Sequence, residues 1–244
     1  MGYRTLKQAV TDLQKTGQLI QIKQPIDPNL LAGAIQRRVY QAQGPALLFN
    51  KLEGCGFPAV ANLFGTLERT RFLFRDSLRS VETLINLKLD PKQLLKQPSN
   101  LLRAPAAAWH LLPKKVKSGP VLLQQTSVSE LPQIKSWPDD GGAFITLPQV
   151  YSESPSNPGL RNSNLGMYRV QISGNQYQPD EEIGLHYQIH RGIGVHHREA
   201  LALGRHLRVN VFIGGPPAMT VAAVMPLPEG MPEMAFAGLL GGHR

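Results

Sequence analysis

The 244-residue chain contains a single cysteine, Cys55. No disulfide can form within it, and zinc or iron–sulfur sites built on several thiolates are excluded. It has no apolar run of the roughly 20 residues that a membrane span requires. Its opening, Met1-Gly-Tyr-Arg-Thr-Leu-Lys7, carries no apolar signal core. A cytoplasmic protein with at most peripheral membrane contact is therefore expected. Several motifs are missing as well. Without Gly-x-Ser-x-Gly or His-Glu-x-x-His, serine-hydrolase and zincin chemistry is excluded, and without a P-loop so is ordinary nucleotide hydrolysis. Acid is scarce in the first half: residues 1–118 hold 18 Lys/Arg against 7 Asp/Glu, whereas residues 119–244 hold 8 against 10. That step, with a change in composition, places a domain boundary near residue 118. The basic half could meet nucleic acid, an anionic membrane or an acidic neighbour. No nucleic-acid-binding motif is present, so nucleic acid is disfavoured and a solvated basic surface is the plainer reading.

What is present reads as a mixed α/β (α+β) chain. Leu6, Val10 and Leu13 recur at helical spacing over residues 4–16, and Gly17 suits the position after a helix. A strand is expected at Leu19–Ile22. Asp27-Pro28 reads as a helix start, with Leu31, Ile35 and Val39 on one face. Ala46–Phe49 reads as a buried strand and Thr66 as the cap of a helix with Leu67 and Phe72 inward. Basic helical segments are expected through Leu94 and Leu102 to the Lys114–Lys117 cluster. Beyond Gly119, β-type runs at Val121–Leu123, Ala143–Thr146 and Met167–Ile172 are separated by Gly, Pro, Asn and Ser. Ser173-Gly-Asn175 suggests a hairpin leading to a run near Ile183–Ile189. A short helix near Glu199–Leu203, a strand at Leu207–Ile213 and an apolar helix after Pro216-Pro217 complete the pattern.

Chemistry-bearing groups concentrate in three stretches, Asn162–Arg169, Leu185–Gly192 and Pro232–Gly238. Amide, carboxylate and imidazole donors suit Mn²⁺ or Mg²⁺, and the basic setting suits a phosphate bridged by the metal. Strand alternation puts Met167, Arg169 and Gln171 on one face. Arg169 could grip a carboxylate or phosphate through its planar fork, or be an ordinary ion-paired arginine. Asn164, like Asn162, could equally be a turn residue. His186 and His190 share a face on a helix and on a strand alike, so their spacing decides little. His196-His197 reads as capping or surface histidines. Glu233 follows Pro232 at a helix start, where it is either a simple first-turn acid or an anchor for a metal-held phosphate. Gly214-Gly215-Pro216-Pro217 is a second possible anion cradle, but it matches no nucleotide fingerprint.

Five blocks in order resemble the UbiD-type decarboxylases: Trp137–Thr146, Asn164–Arg169, Ile189–Gly192, Ile213–Pro217 and Pro226–Glu233. Residues 44–49 and the opening helix resemble that family's N-terminal domain. The resemblance implies an N-terminal α/β domain (1–118) followed by a partial split β-barrel flavin-binding domain (119–244). It also implies removal of carboxylate from an aromatic or α,β-unsaturated acid, such as a prenylated 4-hydroxybenzoate in quinone synthesis. The implied cofactors are prenylated FMN and Mn²⁺ or another divalent cation, with K⁺ as a further candidate. Asn164 and Glu233 resemble metal ligands, and His190 either completes that set or contacts cofactor phosphate. Met167, Tyr168, Arg169, His186, Tyr187, Gln188, Arg191 and Gly192 match cofactor-contacting positions, and Arg169 would also orient the substrate carboxylate. The implied partners are the aromatic acid, a flavin prenyltransferase that supplies the cofactor, and further copies of the full-length chain.

Family members continue past the end of this sequence, and an acidic pair that serves proton transfer lies in that continuation. Glu181, Glu182 and Glu229 are not convincing substitutes. The chain is therefore expected to be a fragment, a truncated product or one piece of a split enzyme. Two rivals follow: a flavin- and metal-binding module that needs another polypeptide for catalysis, and a basic-surface binder of nucleic acid or anionic lipid.

Overall fold

In the computed structural model, which describes residues 2–89, 105, 108–228 and 230–244, the N-terminal half is a small sheet with helices packed on it. Helix α1 (Leu6–Lys15) starts where the Thr5 side-chain oxygen accepts from the Gln8 N–H, and it buries Ala9, Val10 and Leu13. Gly17, at φ 71°, turns the chain out of the helix in a conformation only glycine adopts without strain. Strand β1 (Leu19–Ile22) runs parallel to β2 (Ala46–Phe49), and helix α2 (Leu31–Gln41) makes the crossover. Strand β3 (Ala59–Ala61) adds antiparallel to β2, giving the order β1-β2-β3. Helices α3 (Leu67–Leu73) and α4 (Leu78–Leu89) follow.

The C-terminal half contains two three-stranded antiparallel sheets. One has the order β4-β7-β8, from Phe144–Ile145, Arg169–Gln171 and Gly184–His186. The other has the order β6-β5-β9, from Ser163–Gly166, Gln149–Glu153 and Val209–Phe212. Helices α5 (Gly192–Ala202), α6 (Pro217–Ala222) and α7 (Glu233–Gly241) flank them. Among the described residues the strands form separate three-stranded sheets rather than one closed barrel.

Among the described residues, three cores hold the molecule. One lies under β2 around Phe49 and Leu52, and another between the C-terminal sheets around Val150, Val170 and Ile193. The remaining core joins Ala9, Leu13 and Leu73 to Ala218, Ala222, Phe236, Leu239 and Leu240, so it draws on sequence from both sides of residue 118.

Several expectations are corrected. Asp27 does not cap the helix: its carboxylate accepts from the Asn29 N–H at 2.7 Å, and α2 begins only after Leu30, at φ 71°. The Leu30 N–H meanwhile donates to Lys135 O, which holds this turn to the later chain and leaves Leu31 exposed. Thr66 does cap α3, but the helix turns Arg69 and Leu73 inward, four apart, and so sends Leu67 into solvent. Val121–Leu123 is not a strand. Pro120 lacks an N–H for a ladder, and Pro120–Leu122 makes a single exposed 3₁₀ turn. The helix expected at Glu199 starts earlier, at Gly192, because Gly192 and Gly194 obscure its periodicity. The strand expected from Met167 begins at Arg169, and Asn164 lies in β6 rather than in a turn. The expected helices through Leu94 and Leu102 fall outside the described residues.

Candidate active site

The stretch Ser163–Gln171 changes sheets midway. β6 pairs with β5, β7 pairs with β4 and β8, and Met167-Tyr168 forms the crossing, with the Met167 N–H bonded to Ala223 O at 3.2 Å. A junction between sheets leaves side chains free to line a cleft. Here the cleft has a volume of about 660 Å³, within the range of cofactor and substrate sites. All eleven residues singled out from the sequence line it: Asn164 from β6, Met167 and Tyr168 from the crossing, and Arg169 from β7; His186 to Gln188 from the end of β8; His190, Arg191 and Gly192 from the turn into α5; and Glu233 from the first turn of α7.

Asn164 and Glu233 are brought together by a specific contact. Glu233 Oε2 accepts from the N–H of Leu165 at 3.2 Å, which fixes the carboxylate beside the residue next to Asn164. The Asn164 amide meets the Tyr168 hydroxyl at 3.1 Å through Nδ2, and that hydroxyl also takes the Ile193 N–H at 3.5 Å. A Cβ at Gly192 would overlap Asn164 Oδ1, so the glycine leaves the space that the amide occupies. With His190 elsewhere in the same cavity lining, an amide oxygen, a carboxylate and an imidazole are available without thiolate, donors of a kind that suits a hard divalent cation. Among the described residues, no group of three or more His, Cys, Asp and Glu side chains forms a metal site by itself, so the amide is essential to that fit.

Register sets Arg169 directly opposite His186 in the same lining. The Arg169 guanidinium lies 4.2 Å over the Phe144 ring and 3.4 Å from Asp140 Oδ1. It is thus both cavity-lining and ion-paired, and its side chain remains 58% exposed. Among the described residues that line the cavity, the permanently charged Arg169 and Arg191 outnumber the single carboxylate, Glu233, so the lining favours anions. Tyr187 packs edge-on against Tyr168 and bonds through its hydroxyl to His197 Nδ1.

Sequence reading missed part of this wall. Asp140 and Phe144, which position Arg169, lie within the Trp137–Thr146 block, but nothing in their spacing indicated that role. Val224 and Met225 line the cavity without a motif that would mark them, and Pro226 opens a recognised block without having been singled out within it. The expectation of capping or surface histidines is corrected for both. His196 is buried and bonded to Ser152 Oγ at 2.9 Å, and His197 holds Tyr187. The Gly214-Gly215 cradle lies outside this cavity, with Gly215 against the side-chain oxygen of Gln149.

Both halves of the sequence match domains of one known family. Residues 114–244 match the 3-octaprenyl-4-hydroxybenzoate carboxy-lyase Rift-related domain, and residues 10–88 match the N-terminal domain of the same family. A Chlamydia trachomatis protein is 40% identical over 240 residues, covering 97% of this chain and 40% of the relative. A Chlamydia pneumoniae protein, named as a subunit of 4-hydroxybenzoate decarboxylase, is 40% identical over 244 residues, covering 98% of this chain and again 40% of the relative. The chain thus spans about two fifths of the curated relatives it matches. Among solved structures, vanillic acid decarboxylase from Sedimentibacter hydroxybenzoicus in closed form superposes with a TM-score of 0.79 at 22% identity, over 99% of this chain and 49% of that one. The UbiD-class enzyme HmfF from Pelotomaculum thermopropionicum, in complex with FMN, gives 0.71 at 19% identity, over 97% and 48%. These likenesses establish a shared fold, and the two family matches, one in each half of the sequence, establish descent: the chain belongs to the UbiD family of carboxy-lyases.

Proposed function

We propose that this chain is the N-terminal and cofactor-holding portion of a decarboxylase that uses prenylated FMN and a divalent cation, Mn²⁺ by the character of its donors, to remove carboxylate from an aromatic acid. The observation that carries the proposal is the convergence of the eleven residues, drawn from separate stretches, on one cation-rich cavity with a hard-donor corner. The solved HmfF structures in complex with FMN and prFMN, and the relatives named for vanillic acid and 4-hydroxybenzoate, support the same reading. The two C-terminal sheets would form part of a split barrel, with residues 1–118 and 119–244 as its two domains.

In this proposal Asn164, Glu233 and His190 hold the cation, and the Leu165 N–H keeps one Glu233 oxygen in place. Arg191, His186 and the first N–H groups of α5 receive the flavin phosphate. Arg169 orients the substrate carboxylate, while Asp140 and Phe144 restrain its guanidinium from either side. Prenylated FMN, when bound, supplies the electron sink for loss of CO₂. The proton that replaces CO₂ needs a donor. Among the described residues Glu233 is the only carboxyl group in the cavity wall, and holding the cation occupies it. The proton donor is therefore assigned to a part of the enzyme outside this sequence. That assignment gives weight to a second reading, in which residues 1–244 form a binding module and turnover requires the remainder.

Reconstituting the full-length protein with prenylated FMN and Mn²⁺ and measuring CO₂ release from a panel of aromatic acids tests both readings. The expected result is turnover by the full-length enzyme, loss of Mn²⁺ and flavin in Glu233→Ala, and flavin retention without turnover by residues 1–244. Full-length protein that retains flavin and metal yet releases no CO₂ would leave the binding module as the function; failure to retain either would remove both.

A further inference from the structure

Ser152 of β5 and Asn164 of β6 stand directly opposite each other in the ladder. Side chains paired in this way point to the same face of the sheet, with Cβ atoms about 5 Å apart. On that face α5 packs against both strands. It meets each of the two side chains once. Gly192 lies so close to Asn164 that a Cβ would overlap Oδ1, and His196 bonds through Nδ1 to Ser152 Oγ at 2.9 Å. Gly192 and His196, four apart, share a face of the helix at a spacing of about 5–6 Å. The spacing along the helix matches the spacing across the ladder, so the four residues close a circuit. In that circuit the Ser152–His196 bond sets how closely the start of α5 approaches the Asn164 amide.

Neither Ser152 nor His196 lines the cavity, and both are buried. In a dry interior no water replaces a lost hydrogen bond, so removing one partner leaves the other unsatisfied and free to shift. The next residue of α5 is tied to the same amide by a second route. His197 Nδ1 meets the Tyr187 hydroxyl, the Tyr187 ring packs edge-on against Tyr168, and the Tyr168 hydroxyl meets the Asn164 amide. Convergence on one amide has a chemical reason. Only the oxygen of an asparagine amide can hold a hard cation, because the nitrogen carries two donor hydrogens and offers no lone pair. The orientation of Asn164 therefore decides whether it serves as a ligand.

We propose that His196, acting through Ser152, is a positioning residue that holds α5 at the spacing which keeps the Asn164 amide oriented toward a bound cation. The role at the cation rests on the function proposed above, whereas the spacing of α5 from Asn164 does not. A control lies on the same two elements. Ser154, two residues along β5, also bonds to α5, donating to Glu199 Oε2 at 2.7 Å, but at the end of the helix away from Gly192.

Mn²⁺ titration of the full-length protein, followed by electron paramagnetic resonance, and hydrogen exchange of the metal-free protein over residues 191–195 test the proposal together. Ser152→Ala should weaken Mn²⁺ binding about 10- to 100-fold, the range for loss of a contact that orients a metal ligand, and should speed exchange in the first turn of α5. Ser154→Ala removes a hydroxyl that joins the same strand and helix, and should leave both readouts as in the parent. His196→Asn, whose amide can meet Ser152 where Nδ1 did, should restore most of the affinity lost in His196→Leu. Equal effects of Ser152→Ala and Ser154→Ala would reduce the bond to general packing and overturn the proposal, as would parent-like Mn²⁺ affinity in Ser152→Ala. A parent protein that binds no Mn²⁺ would refute the cation site, and exchange would then decide alone: faster exchange in Ser152→Ala but not in Ser154→Ala upholds the spacing role, and unchanged exchange overturns it.

Discussion

At the residue scale, the proposed cation site depends on a glycine that does no chemistry. Gly192 opens α5, and a Cβ there would overlap Asn164 Oδ1. Alanine is the better helix former, so Gly192→Ala should leave folding stability within about 1 kcal/mol of the parent. The substituted methyl must nonetheless push the Asn164 amide away from Tyr168, a displacement of the kind that lowers metal affinity about 10- to 100-fold. Titration of the purified protein with Mn²⁺, followed by electron paramagnetic resonance, measures that loss. An unchanged affinity would mean that Asn164 is not a ligand. A second residue predicts a pH effect. His196 is buried against Ser152, and desolvation, the largest influence on it, lowers its pKa. The folded state therefore favours neutral imidazole, and the unfolded chain binds the extra proton first as pH falls. Stability should be level above the unfolded histidine value of about 6.5 and decline below it until the folded pKa is reached. Urea unfolding midpoints measured across that range, in the parent and in His196→Gln, should decline more steeply in the parent, with His110, whose pKa is also lowered, contributing equally to both.

At the element scale, what the sequence revealed and what it hid divide along physical lines. The buried strand Ala46–Phe49, the helix carrying Leu6, Val10 and Leu13 and the cap at Thr66 are local signals, and the structure has them. Asn164 read equally as a turn residue, because a strand that leaves one sheet for another after four residues has no sustained alternation to reveal it. Its place beside Glu233 is set by α7, whose Glu233 lies 68 residues along the chain from Leu165. The site residues could be recognised only through five ordered blocks resembling one family, since the spacing of His186 and His190 fits helix and strand equally. Arg69 is a residue that no sequence pattern singled out. In α3 it turns inward and donates to the carbonyl oxygens of Leu63, Asn62 and Gly44, at 3.1, 2.7 and 3.0 Å, tying the loops that flank β2 and β3. Arg69→Met keeps much of the volume and strands those acceptors, at a cost of about 3 kcal/mol. Arg69→Lys should recover only part of that, because a single ammonium cannot reproduce the fork. Chemical denaturation of the two variants measures the difference, and equal stability of Arg69→Met and the parent would refute the role.

At the scale of the whole molecule, the step in charge near residue 118 does not coincide with a break in packing. Phe236, Leu239 and Leu240 of α7 and Ala218 and Ala222 of α6 share a core with Ala9 and Leu13 of α1 and Leu73 of α3, and α4 also touches α7. The helix that presents Glu233 to the cavity is thus anchored by the N-terminal half, which gives that half a part in holding the site as well as its basic surface. Two consequences follow from one shared core. Unfolding should be a single transition by every probe, because neither half can lose its structure without exposing this cluster. A cavity made in the C-terminal half should also be felt in the N-terminal half. Phe236→Ala should cost about 3–5 kcal/mol, and hydrogen exchange should show protection falling in α1 as well as in α7. If α1 amides kept their protection while α7 lost its own, or if denaturation separated into two steps, the halves would be autonomous and the placement of Glu233 would depend on the C-terminal half alone.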